Sequence, residues 1–187
     1  MTARERHETR KAPATEPAAV IRPATASDLD TVAAVYAHYV HHTVVTFDET
    51  PRSTADWADR LADLTARGLP FLVAELSGAV AGFAYAAPWR VKPAYRHSVE
   101  DTVYLAPGAT GRGLGTALLE AVVEGCERAG VRQMIAVIAD TGDEASRALH
   151  RRTGFADAGR LVGVGRKHGR WIDTHLMQRT LRLPDER

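Results

Sequence analysis

Between Val103 and Arg128 an apolar strand pattern runs into a glycine-dense turn, and the turn opens directly into a helix. The turn reads Ala106-Pro107-Gly108-Ala109-Thr110-Gly111-Arg112-Gly113-Leu114-Gly115-Thr116. Leu114, Leu118, Ala121, Val122 and Gly125 recur at helical spacing, so one face of the following segment is apolar. Glu124 and Arg128 stand four apart on its outside, and Gly130 is a C-terminal stop signal. Glycine at 111, 113 and 115 strips β-carbons from one side of the backbone, so a ligand can approach the peptide N–H groups. The first turn of a helix adds unpaired N–H groups and a partial positive charge. Together these predict a seat for phosphate or pyrophosphate, to which Arg112 contributes a full charge. A plain glycine-rich surface turn is the bland alternative.

The type of phosphate ligand can be narrowed. A Walker loop needs Gly-Lys-Ser/Thr at its end, and the turn holds no lysine. A dinucleotide fingerprint needs a third glycine where Thr116 stands, and it opens a domain rather than sitting in mid-chain.

The 187 residues suffice for one domain with a substantial core, and the net charge of +1 comes from interspersed signs. No electrostatic argument for nucleic acid or an anionic membrane follows from that balance. Cys126, the single cysteine, cannot form an internal disulfide, so a reducing, cytoplasmic setting is expected. No apolar run reaches membrane-spanning length. Residues 1–19 read as a polar tail, 20–183 as one domain and 184–187 as a second tail.

Along that domain Val20-Ile21-Arg22 begins a strand, and Thr25 or Ser27 caps a helix apolar at Leu29, Val32, Tyr36 and Val40. That helix ends in His38, His41 and His42, which suit a helix C-terminus or a pocket wall better than a metal site. Thr43 to Phe47 is β-prone, and Ser53 with Asp56 opens a second helix. Strands Pro70–Glu75 and Ala79–Ala87 turn at Ser77-Gly78. A loop dense in aromatics and cations, Pro88 to His97, leads to the strand Ser98–Leu105. After the central helix, Val131–Ala139 reads as a strand buried on both faces, parallel to the strand before the turn. A short helix from Thr141 to Arg152 and two last strands, Phe155–Arg166 and Trp171–Leu181, complete the chain.

This order resembles the GNAT N-acetyltransferase superfamily over about Ile21 to Leu181. Thr110 to Gly115 is similar to its acetyl-coenzyme A loop, Gln/Arg-x-x-Gly-x-Gly/Ala, except at the first position. Further segments look like the phosphinothricin and methionine sulfoximine acetyltransferase branch. They are Thr46-Phe47, Ala84 to Arg90, Tyr95 to Tyr104, Ala136 to Ile138, Ala148 to Phe155 and Gly165 to Asp173. The resemblance implies an α/β (α+β) GNAT fold, a mixed sheet of about seven strands with a splayed parallel pair and about four helices. It also implies acetyl transfer from acetyl-coenzyme A to an amine, without a metal, in a homodimer.

On the same basis Glu100 is the base, acting through water, and His150 serves the departing thiolate as donor or as pocket wall. Val103, Tyr104 and Leu105 would pair with pantetheine, and a backbone N–H near Tyr104 or Leu105 would face the thioester oxygen. Gly111, Arg112, Gly113, Leu114, Gly115 and Thr116 would hold the pyrophosphate, with Asp143 and Ser146 beside the cofactor. Arg90 and Arg96 suit a substrate oxyanion, and Phe47, Trp89 and Tyr95 its short alkyl stem. Each also has a structural reading, as a packed aromatic or a solvated charge. Two positions depart from the branch: Thr110 replaces Gln/Arg, and Asp143 replaces an asparagine with an acid that cannot donate when ionised. The acceptor implied is a small amino acid. Peptide N-termini, polyamines and a non-catalytic acetyl-coenzyme A-binding module are the alternatives.

Overall fold

The computed structural model describes residues 19–182. The tails expected at the two ends fall outside the described residues, except for Ala19. Among the described residues seven strands form one sheet: β1 (Val20–Pro23), β2 (Phe71–Leu76), β3 (Ala79–Pro88), β4 (Ser98–Leu105), β5 (Gln133–Ala139), β6 (Ala156–Lys167) and β7 (Arg170–Thr180). Their order is β1-β2-β3-β4-β5-β7-β6. Only β4 and β5 run parallel, because α3 (Leu114–Arg128) carries the chain from one to the other. The remaining helices are α1 (Leu29–His42), α2 (Thr54–Ala66) and α4 (Ala145–Arg152).

Local chemistry accounts for the ends of these elements. Ser53 accepts the Asp56 N–H while the Asp56 carboxylate accepts the Ser53 N–H at 2.8 Å, which closes the start of α2. Ser77 and Gly78 both take positive φ, which the tight β2–β3 hairpin requires.

Each face of the sheet carries its own core. On one, α1 and α2 bury Leu29, Val32, Tyr36, Val40, Trp57 and Leu64 against Phe71, Val73, Phe83 and Tyr85. Trp57 is fully buried and meets the rings of Tyr36, Phe71, Phe83 and Tyr85 edge-on. Its truncation to alanine would cost about 3–5 kcal/mol. On the other face α3 buries Leu114, Leu118, Leu119, Val122 and Cys126 against Ala84, Ala86, Val99 and Met134.

Three segments differ from the sequence expectation. Residues 43–47, though β-branched, form bends, because their hydrogen bonds go to side chains rather than to a neighbouring strand. α4 begins at Ala145 rather than Thr141, since a turn bonded to the Thr141 hydroxyl and the Asp143 carboxylate precedes it. β5 is buried on one face only: Met134, Ala136 and Ile138 meet α3, whereas Val137 is 37 % exposed on the other face. That open face belongs to a cavity.

Candidate active site

The sheet is split where its two parallel strands part. β4 and β5 pair only over Ser98–Glu100 and Gln133–Ile135. Beyond Glu100, β4 keeps its bonds to β3 and β5 keeps its bonds to β7, but Asp101–Leu105 and Ala136–Ala139 no longer pair with each other. Unpaired strand groups need partners, so this gap is built for an extended ligand. A cavity of about 940 Å³ occupies it and reaches both faces of the sheet.

The glycine turn closes one end. Gly111, Gly113, Leu114, Gly115 and Thr116 line the cavity. Gly113 has φ +76° and immediately precedes α3, a left-handed conformation that a residue with a β-carbon adopts only with strain. A β-carbon on Gly111 or Gly113 would meet nothing within 4 Å, so the space before these backbones is open. The N–H groups of the first turn of α3 therefore stand at an unobstructed wall.

Alternation along β4 sends consecutive side chains to opposite faces. Glu100, Thr102 and Tyr104 share a face with Tyr85 and Ala87, and this is the α1/α2 side. There Tyr36 donates to the Asp48 carboxylate at 2.8 Å and contacts the Thr46 hydroxyl at 2.8 Å. Lys167, itself buried, donates to the Thr46 carbonyl at 2.8 Å. The Phe47 ring lies where a side chain on Gly165 would be, with a β-carbon there only 2.2 Å from the ring. These contacts lock the 43–52 loop over the cavity. Tyr39 donates to the Leu105 carbonyl at 2.7 Å and ties α1 to the free end of β4. Within this half Glu100 is held well above the usual carboxylate range, at about 7. Burial is the main cause, the Asp101 charge adds to it, and Arg90 opposes it.

Asp101 points to the α3/α4 side and meets His150 of α4. The His150 Nε2 lies 3.0 Å from an Asp101 carboxylate oxygen, and Nδ1 lies 2.7 Å from the Ser146 carbonyl. Both acceptors call for an N–H, so the ring is held as imidazolium. Burial lowers its proton affinity, but the Asp101 hydrogen bond and charge, with the Ser146 carbonyl, raise it by more. The second Asp101 oxygen is buried with no hydrogen-bond partner among the described residues, and so is the hydroxyl of Thr174, another wall residue. Both are open to donors brought by water or ligand.

A split parallel pair, a glycine turn at a helix start and a carboxylate with near-neutral proton affinity thus share one cavity. Comparison with known families identifies the frame: residues 21–176 match the model described as Acetyltransferase (GNAT) domain. The chain belongs to the GNAT acetyltransferases. It is 44% identical over 168 residues to a phosphinothricin N-acetyltransferase of Alcaligenes faecalis, covering 90% of this chain and 85% of that protein. An L-methionine sulfoximine/L-methionine sulfone acetyltransferase of Pseudomonas aeruginosa is 41% identical, covering 87% and 95%. Among solved structures, a GNAT phosphinothricin acetyltransferase from Sinorhizobium meliloti in complex with AcCoA superposes with a TM-score of 0.83. It is 46% identical and covers 87% of this chain and 88% of that one.

Most residues singled out from the sequence meet in this GNAT cavity. Its wall includes Phe47, Glu100, Val103, Tyr104, Leu105, Gly111, Gly113, Leu114, Gly115, Thr116, Asp143, Ser146 and His150. Trp89, Arg90, Arg112, Tyr95 and Arg96 are not part of it. Arg112 is exposed. The Arg90 guanidinium stacks 4.5 Å over the Trp89 ring, close enough to Glu100 to lower its proton affinity but outside the wall. Arg96 bonds the Pro93 carbonyl and lines a separate hollow of about 120 Å³ with Arg67 and His97. Asp143 accepts the Ala145 N–H at 2.9 Å, so one oxygen of the acid serves the start of α4. Sequence reasoning missed Tyr36, Tyr39, Tyr85, Thr46 and Arg52. Of these, Tyr36 reads as a core position by helical spacing, Tyr85 and Thr46 fall in segments that carry the branch resemblance without a role of their own, and nothing local marks Tyr39 or Arg52.

Proposed function

We propose that this GNAT chain is an acetyl-coenzyme A-dependent N-acetyltransferase for the α-amine of a small amino acid such as phosphinothricin, methionine sulfoximine or methionine sulfone. The observation that carries this reading is the position of Glu100. It sits at the last paired residue before the strands part, half-buried, with a proton affinity near neutrality. A substrate ammonium has no lone pair, so the reaction needs a base of this kind. Acetyl-coenzyme A, when bound, supplies the thioester acyl group that the freed amine attacks.

The residues present fit that cofactor. The unpaired edges of 101–105 and 136–139 would receive its pantetheine amides, and the turn 111–116, open before Gly111 and Gly113, its pyrophosphate. Thr110 and Ser146 line the same half. Glu100 would take the ammonium proton, directly or through one water, from the α1/α2 side of β4. His150, with both ring nitrogens engaged, would act on β4 through Asp101 rather than by giving a proton to the thiolate.

A thiol-release assay with phosphinothricin, methionine sulfoximine, methionine sulfone and a peptide as acceptors tests the reading. Turnover with the amino acids and none with the peptide is expected. Release with the peptide alone would replace the amino-acid acceptor with a protein N-terminus. Tight acetyl-coenzyme A binding without any thiol release would make the chain a binding module.

The same proposal takes residues 20–183 as one cytoplasmic domain. The near-balanced charge and the single, unpaired Cys126 support that setting. Among the described residues no helix is long and apolar enough to cross a membrane. A homodimer is supported by the edge strand β6, where Leu161, Val162 and Val164 lie exposed near Trp171, and sedimentation equilibrium checks it.

A further inference from the structure

The cavity has two halves with different charge. On the α3/α4 side Asp101 and His150 neutralise each other, and Arg152 and Asp143 stand on or beside α4. On the α1/α2 side the wall includes Tyr36, Tyr39, Tyr85, Thr46 and Phe47, with Glu100 as its lining acid and Arg52 as its lining cation. Arg52 lies in the loop just before α2, two residues after the Thr50-Pro51 bend begins.

Its guanidinium is anchored on one side only. Nε donates to an Asp48 carboxylate oxygen at 3.2 Å, and the same oxygen accepts the Tyr36 hydroxyl. The guanidinium carbon stands 5.7 Å from the centre of the Trp57 ring. Trp57 is fully buried, so the guanidinium rests against the packed core. The two Nη groups, which carry four of the five N–H donors, have no hydrogen bond among the described residues. Such a half-satisfied, laterally braced fork is suited to a bidentate oxyanion and loses little freedom on binding one.

We propose that Arg52 is the specificity-determining cation of the acceptor site and binds an oxyanion of the amino-acid substrate whose amine faces Glu100. The inference rests on the amino-acid reading of the function given above. It assigns to Arg52 the task that residue type alone suggested for Arg90 and Arg96, which the fold leaves outside the wall. An acid, Glu100, and a cation with free Nη donors, Arg52, lining one aromatic-rich cavity match an amino acid.

Steady-state kinetics of Arg52→Gln and Arg52→Lys test the assignment, with phosphinothricin and methionine sulfone as acceptors. Phosphinothricin carries a carboxylate and a phosphinate, whereas methionine sulfone carries only the carboxylate. Arg52→Gln should raise the acceptor KM by about 10- to 100-fold, as expected for a lost charge-assisted pair, with kcat within a few-fold and the acetyl-coenzyme A KM unchanged. Arg52→Lys should recover part of the loss. A rise for both acceptors places the carboxylate on Arg52, and a rise for phosphinothricin alone places the phosphinate there. Unchanged acceptor KM values in Arg52→Gln with a native thermal melt would overturn the proposal. So would a rise confined to acetyl-coenzyme A. If the wild-type protein acetylates neither compound, the amino-acid reading itself falls, and this assignment falls with it.

Discussion

Glu100 and Asp101 are neighbours on one strand, yet the fold gives the two carboxyl groups opposite surroundings. Asp101 faces the α3/α4 core, is nearly inaccessible, and receives a hydrogen bond from a histidine 49 residues away. Glu100 faces the acceptor half, its carboxyl has no hydrogen bond among the described residues, and burial drives it toward its neutral form. One residue of strand pleat therefore separates a structural carboxylate from one suited to proton transfer. Position at the split matters as much as face. Glu100 is the last residue paired to β5 and Asp101 the first that is not, so the pair marks the point where the sheet opens.

The sharpest way to break this contrast is to remove each acid's charge in turn. Glu100→Gln should lower kcat/KM for the amino-acid acceptor by about 10²- to 10⁴-fold at pH 7.5, the usual worth of a positioned base. Calorimetric affinity for acetyl-coenzyme A should stay the same. The wild-type rate should also fall as pH drops through about 7, because only the ionised carboxylate can accept a proton. The variant should lack that acid limb. A variant that keeps wild-type turnover would strip Glu100 of its role as base.

Asp101→Asn should act through stability and through its neighbour. The buried imidazole loses its charged partner, and the cost is about 1–3 kcal/mol in denaturant unfolding. Turnover should fall less than tenfold. The Asp101 charge also contributes to the raised proton affinity of Glu100, so its removal lets that affinity drop. The acid limb of kcat/KM should then move to lower pH. An unmoved limb would mean that burial alone sets the behaviour of Glu100, and the two acids would be independent.

How far this arrangement could be read in advance depends on the range of the interactions involved. The glycine turn, the strand before it and the parallel crossover were legible, because each is coded by residues within about one helix length of one another. Glu100 was legible as a position through the Val99-Glu100-Asp101-Thr102-Val103-Tyr104 motif, but its surroundings were not. Those surroundings come from β3, from the 43–52 loop and from the early end of β4–β5 pairing. The His150–Asp101 pair was invisible, since nothing local to either residue announces the other. Arg52 was overlooked because a single arginine after a proline looks like solvent-facing charge. Only the packing of Asp48 and Trp57 aims it at the cavity. Arg90 and Arg96 drew attention because cations cluster there, but the turn at Pro93–Tyr95 and the Trp89 ring occupy them elsewhere.

The smallest expected effect is the most direct test of the difference between the two acids, because it concerns stability and not rate. Glu100 binds its proton more tightly in the folded chain, at about 7, than at its ordinary value of 4.5. The stability this contributes is fully present below 4.5 and is lost as pH rises through about 7. Above that range the folded protein carries a poorly solvated charge that the unfolded chain would hold in water. Glu100→Gln removes the charge, so the variant should melt a few degrees higher than wild type at pH 8. At pH 4, where the wild-type carboxyl is already protonated, the two should melt together. Asp101→Asn should show the opposite sign at pH 8, since there the lost charge is one that His150 needs. If both amide variants shift the melting temperature in the same direction at pH 8, the two faces of β4 do not treat their carboxylates differently, and the assignment of one to chemistry and the other to structure fails.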